Sequence, residues 1–156
     1  MLAMAFEIRP DDLSGAATRE LLALHLRQMH ANSPPGSVFA LDLSGLQGVD
    51  VDVWSAWRDG RIAGIGALRA LADGNGELKS MRTHPDFLRQ GVAVVILRHI
   101  VGVARARGMS RLSLETGSGA AFEPALALYR AHGFEPGPAF GDYVASDFNQ
   151  FLHLAL

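Results

Sequence analysis

The stretch Leu88-Arg89-Gln90-Gly91-Val92-Ala93-Val94 holds the residue types and spacing closest to chemistry. Gly91 and Ala93 carry little or no side chain, so the backbone there can approach a ligand closely. The apolar periodicity that follows predicts a helix starting at this point. The first N–H groups of a helix have no partner within it, and the positive end of the dipole lies beside them. Such a start suits an anion, best a phosphate or pyrophosphate; a tight entry turn without a ligand is the alternative that these residues leave open. Two commoner phosphate devices are missing. No G-x-x-x-x-G-K-[ST] occurs, which argues against a P-loop enzyme. Gly64-Ile65-Gly66 begins like a dinucleotide fingerprint, but Arg69 stands at the third glycine position, inside an expected strand. Those two glycines instead predict a bulge or a close backbone approach.

The other chemical classes narrow quickly. The chain has no cysteine, which excludes a disulfide scaffold, a cysteine nucleophile, zinc–thiolate sites and iron–sulfur clusters. His99, His132 and His153 lie apart, without the spacing of a metal-binding pair. His25 falls on the apolar face of an expected helix, packed or at the rim of a pocket. The net charge of −2 and the pI near 6.3 provide no basic stripe for nucleic acid. Residues 1–9 lack the features of a secretory signal. The longest apolar run, Val92 to Leu97, stops at Arg98-His99, far short of the ~20 residues that span a bilayer. With 156 residues, 49% hydrophobic and 19% charged, the chain is expected to fold as one domain over residues 1–156. Folding at this size buries roughly 70% of the unfolded chain's surface. A soluble, cytoplasmic protein with no nucleic-acid or membrane partner is the expectation.

The elements that must position these residues alternate. Phe6 to Arg9 reads as a short strand, and Pro10-Asp11-Asp12 breaks it before a helix over Ala16 to Ala31. Asn32-Ser33-Pro34-Pro35-Gly36 ends that helix. Residues 37–52 carry no assignable pattern. Val53 to Arg58, the turn dipeptide Asp59-Gly60, and Arg61 to Leu71 predict a hairpin. After a second turn at 73–76, Glu77 to Thr83 predicts a third antiparallel strand. Val92, Val95, Ile96, His99, Ile100 and Val103 share one helical face, and Gly108 caps its end. Arg111 to Glu115 is the next strand, joined to 77–83 through that helix in a right-handed parallel crossover. A helix over Phe122 to Ala131 and a final strand over Asn149 to Leu154 complete an α/β architecture with a mixed sheet.

This order, with Glu77 to Pro85, the glycine-bearing helix start, and the block Ala125 to Phe134, resembles the GNAT acetyltransferases. The first block is similar to their acyl-CoA motif, Arg/Gln-x-x-Gly-x-Gly/Ala; the second is similar to their signature ending Leu-Tyr-x-x-x-Gly-Phe. The likeness extends over nearly the whole chain and is carried by the pair of motifs together. Leu88 stands where the motif prefers Arg or Gln, and Phe122 where many members carry a cofactor-contacting asparagine.

The resemblance implies a mostly antiparallel mixed sheet flanked by helices, with a splayed central parallel strand pair. It implies acetyl-CoA as co-substrate and no metal. The pantetheine arm would pair with the backbone at Met81, Arg82 and Thr83, and the diphosphate would rest on Arg89, Gln90, Gly91, Val92, Ala93 and Val94, with Phe122 and Tyr129 beside the cofactor. An attacking amine must be neutral, yet its conjugate acid has a pKa of about 10, so a base is useful. Glu77, 14 residues before Gly91, matches the register of the family's strand glutamate; an ordinary exposed glutamate after a turn is the alternative. Glu115 and then His84 are the substitutes. Tyr129 matches the family's acid for the departing thiolate, against the alternative of a packed core tyrosine. A backbone N–H near Arg82 would polarise the carbonyl. His25, His30 and Ser33 are the pocket candidates for the acceptor. The loop Phe140-Gly141-Asp142-Tyr143 is a further one, in which Asp142 could hold a substrate ammonium, a solvated turn being the alternative.

The expected activity is acetyl transfer to a primary amine of a small, amino-acid-like or other molecule, by direct attack in a ternary complex. A catalytically silent acyl-CoA-binding or regulatory module and a protein or peptide N-acetyltransferase are the alternatives. Pairing of two copies through the C-terminal strands is the route to a homodimer that the sequence suggests.

Overall fold

The computed structural model describes residues 5–156. Strand β1 (Glu7–Pro10) leads to helix α1 (Ala16–Ala31), and a short helix α2 (Leu43–Leu46) precedes β2 (Val51–Arg58), β3 (Arg61–Ala70) and β4 (Gly76–Thr83). Helix α3 (Val92–Ala106), β5 (Arg111–Thr116), α4 (Glu123–Ala131), β6 (Glu135–Pro136) and β7 (Gln150–Ala155) follow. The seven strands lie in the order β1-β2-β3-β4-β5-β7-β6, and β4–β5 is the parallel pair. The mixed sheet with a central parallel pair is therefore present.

Local chemistry explains the β2–β3 hairpin. Asp59 and Gly60 take φ values of 51° and 74°, the two positive values of a type I′ turn whose twist matches the flanking strands. Gly64 and Gly66 mark a close approach of sheet and helix. A Cβ at Gly64 would stand 2.6 Å from Val92 Cγ1, and one at Gly66 would stand 2.6 Å from Ile96 Cγ2. Helix α3 can therefore lie directly on β3 and β4.

The helices cover both faces of the sheet. On one face Leu21 and Leu22 of α1 and Leu46 of α2 pack with Val53, Ile62, Ile65 and Ala67. On the other, α3 buries Val92, Ile96, Leu97, Ile100, Val101 and Ala104. Of the stripe predicted from 92 to 103, Val92, Ile96 and Ile100 are buried and Val95, His99 and Val103 only partly so; the buried face turns instead onto Leu97, Val101 and Ala104. Each large apolar side chain buried there contributes about 1.5–3 kcal/mol. Among the described residues, no helix is long and apolar enough to cross a membrane.

Several boundaries differ from the sequence reading. The segment 37–52, left unassigned, contains α2, whose N-cap Asp42 accepts from the Gly45 amide at 2.8 Å. Strand β2 begins at Val51 rather than Val53, and α4 begins at Glu123, after a 3-10 turn over Ala120–Phe122. Strand β6 is two residues long, too short to leave an alternating pattern.

Candidate active site

The site grows from a discontinuity in the sheet. Strands β4 and β5 pair only at Gly76↔Leu112 and Glu77↔Ser113. Beyond that they diverge, so the later backbone groups of β4 facing the gap have no strand partner. At Ser80 the chain takes φ 56°, and the β3–β4 register slips between Ile65 and Ala67. Strict alternation would set Glu77, Lys79 and Met81 on one face. The bulge instead sends Met81 toward α3, where its sulfur lies against Gly66, and Arg82 toward α1.

Ahead of the bulge, Glu77 and Lys79 form a buried ion pair of 3.4 Å, with Glu77 only 1% exposed. Lys79 Nζ also donates to Tyr143 Oη at 2.8 Å and to the Phe39 carbonyl at 3.1 Å. Tyr143 in turn donates a short hydrogen bond to Glu77 Oε2. Burial first, and the Glu77 charge second, push the Tyr143 hydroxyl well above its ordinary value, so it stays a donor. Glu77 is thus not the exposed turn residue of the alternative reading; its carboxylate is held by an ammonium and a phenol.

Glu115, on β5, has a different environment. Burial pushes its carboxyl up to about 7; Lys79 pulls it back and Glu77 adds to the rise. A carboxyl in that range is poised to take a proton near neutral pH.

Past the bulge, Arg82 Nε donates to His25 Nδ1 at 3.0 Å and Nη1 donates to Gln28 Oε1 at 2.7 Å. Burial, with Arg82 and Lys79 nearby, lowers the His25 imidazole to about 3. His25 is therefore neutral. Because a guanidinium only donates, Nδ1 is the acceptor and Nε2 carries the proton.

Two hollows meet at this point. One, a cavity of about 160 Å³, is lined by His25, Gln28, Arg82, Glu115, Phe122 and Tyr129, among others. The second, a groove of about 540 Å³, runs along Met81, Arg82 and Thr83 to Arg89 and the start of α3. Met81, Arg82, Ala121, Ala125 and Tyr129 line both. Tyr129 is buried, and that burial pushes its hydroxyl up to about 12 despite the opposing pull of Arg82. It is protonated at any working pH.

The groove ends in a backbone cradle. Arg89 and Gly91 take φ values of 61° and 85°, and the first α3 bond runs from the Val95 amide to the Gly91 carbonyl. The amides of Val92, Ala93 and Val94 are left without helical acceptors. Nothing lies within 4 Å of a Cβ built on Gly91, and Gly91, Val92, Ala93 and Val94 all line the groove. Alternating left- and right-handed backbone ahead of a helix makes an anion-binding concavity. The unpaired β4 edge and this cradle fit a coenzyme with an amide-bearing arm and a diphosphate.

The remaining candidates are spread more widely. Arg89, Gly91, Val92, Ala93 and Val94 line the groove, whereas the Gln90 side chain accepts from Arg58 at 2.8 Å. Phe122 lines the smaller cavity and stacks edge-on against Phe148. Leu88, where the motif prefers a polar residue, lines the groove and is 58% exposed. His84 caps the 3-10 turn over Pro85–Phe87 by accepting from the Asp86 amide, away from both hollows. Ser33 and His30 lie outside the cavity lining, and the Ser33 hydroxyl is buried without a partner. Asp142 lines a separate outer hollow beyond Tyr143.

Lys79 and Gln28 were not singled out from the sequence, and Tyr143 enters it only as part of the 140–143 loop, with no role of its own. Glu77-x-Lys79 carries a usable signal, since a strand puts i and i+2 on one face. His25 and Gln28 sit three apart on α1, the spacing of helical neighbours. Tyr143 joins β4 across 66 residues of sequence, and no local pattern announces that.

The Acetyltransferase (GNAT) family profile matches residues 18–134, and the chain belongs to that family. It is a GNAT-type N-acetyltransferase. It is 48% identical to the uncharacterized N-acetyltransferase YedL of Escherichia coli (strain K12) over 151 residues, 97% of this chain and 95% of the relative. A Klebsiella pneumoniae structure assigned as an acyl-CoA N-acyltransferase superposes with a TM-score of 0.82 at 26% identity, over 97% of each chain. A GNAT acetyltransferase from Elizabethkingia anophelis, solved with acetyl-CoA bound, shares the fold with a TM-score of 0.67 at 16% identity. It covers 97% of this chain and 98% of that one.

Proposed function

We propose that this protein, as a single domain, transfers the acetyl group of acetyl-CoA to the amine of a small molecule by direct attack within a ternary complex. One observation carries the reading: a groove ending in unpaired helix amides and a small cavity holding Arg82 and Glu115 share a wall formed by Met81, Arg82, Ala121, Ala125 and Tyr129. Bound acetyl-CoA supplies the activated acyl group and a thiol leaving group. The amides of Val92, Ala93 and Val94 hold its diphosphate, and the β4 edge at Met81 and Thr83 holds the arm. A backbone N–H of β4 near Arg82 polarises the carbonyl. Glu115 accepts the proton of the incoming ammonium, a role supported by its elevated pKa and its place in the cavity wall. Glu77, fixed by Lys79 and Tyr143, sets the local charge. Tyr129, protonated and lining both hollows, donates to the departing sulfur.

The small acceptor is supported by a cavity of about 160 Å³, which has room for a metabolite-sized amine. Thiol release measured with a panel of amines, beside calorimetry of coenzyme binding, tests this reading. Amine-dependent thiol release supports it. Coenzyme binding without thiol release to any amine overturns it in favour of a silent acyl-CoA-binding module.

A further inference from the structure

Arg82 has an unusual balance of partners. Its hydrogen bonds go to His25 and Gln28, both uncharged, and among the described residues no carboxylate forms an ion pair with it. Arg19, Arg27, Arg89, Arg98, Arg105 and Arg130 also form no ion pair among the described residues, but all six are exposed to water, whereas Arg82 is half-buried. Several other cations do find anions. Lys79 pairs with Glu77, Arg61 with Asp86, Arg69 with Asp50 and Arg107 with Asp52. A guanidinium has five N–H donors in a planar fork. His25 and Gln28 use two of them and lock the plane. The other three have no protein partner among the described hydrogen bonds, and Arg82 lines the cavity.

A half-buried cation held only by neutral acceptors has a place for an anion. The same cavity carries Glu115 on its β5 wall, so a cation-seeking group and an anion-seeking group share a space of about 160 Å³. The bulge at Ser80 creates this pairing, because without it Arg82 would point to the α3 face. Helix α1 contributes as well. His25, Gln28, Met29 and Asn32 line the cavity at helical spacing, so the residues fixing the guanidinium are also its wall.

We infer that the acceptor carries a carboxylate close to its amine, with the carboxylate seated on the Arg82 fork and the amine presented to Glu115. A planar guanidinium matches a carboxylate in two parallel hydrogen bonds, which fixes orientation as well as position. The inference rests on the acetyl-transfer reading above and narrows it to amino acids in the broad sense. Arg82 also lies near enough to Tyr129 to affect its hydroxyl, so its loss touches turnover in general. Selectivity between matched substrates isolates the carboxylate contact.

The test compares free α-, β- and γ-amino acids with their primary amides, which keep the amine and remove the negative charge. Thiol release is followed in the wild type, Arg82→Gln, Arg82→Lys and Gln28→Leu, with melting temperature and coenzyme binding recorded for each. In the wild type the acid of the best pair should exceed its amide by about ten- to a hundredfold in kcat/KM, mostly through KM. Arg82→Gln should bring that ratio to about one, and Arg82→Lys should restore part of it. Gln28→Leu, which loosens the fork without removing its charge, should lower the ratio by a smaller factor and carries the test if Arg82→Gln does not fold. Amides accepted as well as acids, or a ratio unchanged in these variants, overturn this inference while leaving acetyl transfer standing. No thiol release with either series, while another amine of the wider panel is acetylated, overturns this inference alone; no thiol release with any amine of the panel overturns both.

Discussion

Tyr143 donates its hydroxyl proton to Glu77 Oε2 while accepting from Lys79 Nζ at 2.8 Å. A carboxylate, an ammonium and a phenol thus neutralise one another inside the fold. With side chains only 2% and 7% exposed, the Glu77–Lys79 pair has little water to fall back on. Removing one member leaves the other charge buried and uncompensated, which costs about 3–5 kcal/mol. Glu77→Gln and Lys79→Met should each lose stability of that order in denaturant unfolding, and the double variant much less than their sum. Strict additivity would show that the two charges do not depend on each other.

The contrast with Glu115 gives a second expectation. Its carboxyl titrates near 7, against 4.5 in an ordinary environment, because burial disfavours the charge. The rate of acetyl transfer should therefore fall as pH drops below about 7, and Glu115→Gln should lower kcat at least about tenfold and flatten that limb. The stability sign is the opposite of a salt-bridged carboxylate. The folded protein binds the extra proton between 4.5 and about 7, so this contribution is complete below 4.5 and is lost as pH rises through 7. Glu115→Gln should melt higher than the wild type at pH 8 and show no such gain at pH 4. A pH–rate limb that survives in Glu115→Gln and vanishes in Glu77→Gln would move the base to Glu77.

Tyr129 joins the groove to the cavity and is protonated up to about pH 12. If that proton goes to the departing sulfur, Tyr129→Phe should lower kcat by about 10²-fold or more, with the KM for acetyl-CoA nearly unchanged. The ring still packs on Phe134 in that variant, so the melting temperature should barely move. Turnover equal to the wild type would leave Tyr129 a packing residue.

The legible part of this molecule was local. The Asp59-Gly60 turn, the α3 helix with half of its buried face, and the Gly64 and Gly66 approach each follow from a few neighbouring residues and the conformations those residues allow. The helix-start cradle was legible for the same reason, because backbone amides need only a glycine and a helix after it. The acceptor side was not. It depends on a bulge at Ser80, where a serine adopts φ 56° without any sequence mark, and one residue of slip exchanges the faces of Met81 and Arg82. Arg82 therefore entered the sequence reading only as a stretch of backbone. Within the 140–143 loop the sequence points to Asp142, whereas Tyr143 is the residue that meets Glu77 and Lys79, because the loop's contacts are made with β4, far away in sequence.

Gly91 separates the strain of the cradle from its binding role. Its φ of 85° is a conformation that an L side chain adopts at a cost of about 1–2 kcal/mol. Gly60 has a φ of 74°, and a Cβ there also meets nothing within 4 Å, but it sits in the β2–β3 turn, outside the groove. Gly91→Ala and Gly60→Ala should therefore lose similar amounts of stability, a few degrees in melting temperature for a chain of this size. They should differ in coenzyme handling. Gly91 lines the groove beside the amides of Val92 to Val94, so a methyl and a relaxed φ there fall next to where a diphosphate must come within hydrogen-bond distance. Gly91→Ala should raise the KM for acetyl-CoA by about tenfold or more, and Gly60→Ala should leave it unchanged. Equal KM values in the two variants would mean that the α3 amides do not hold the diphosphate.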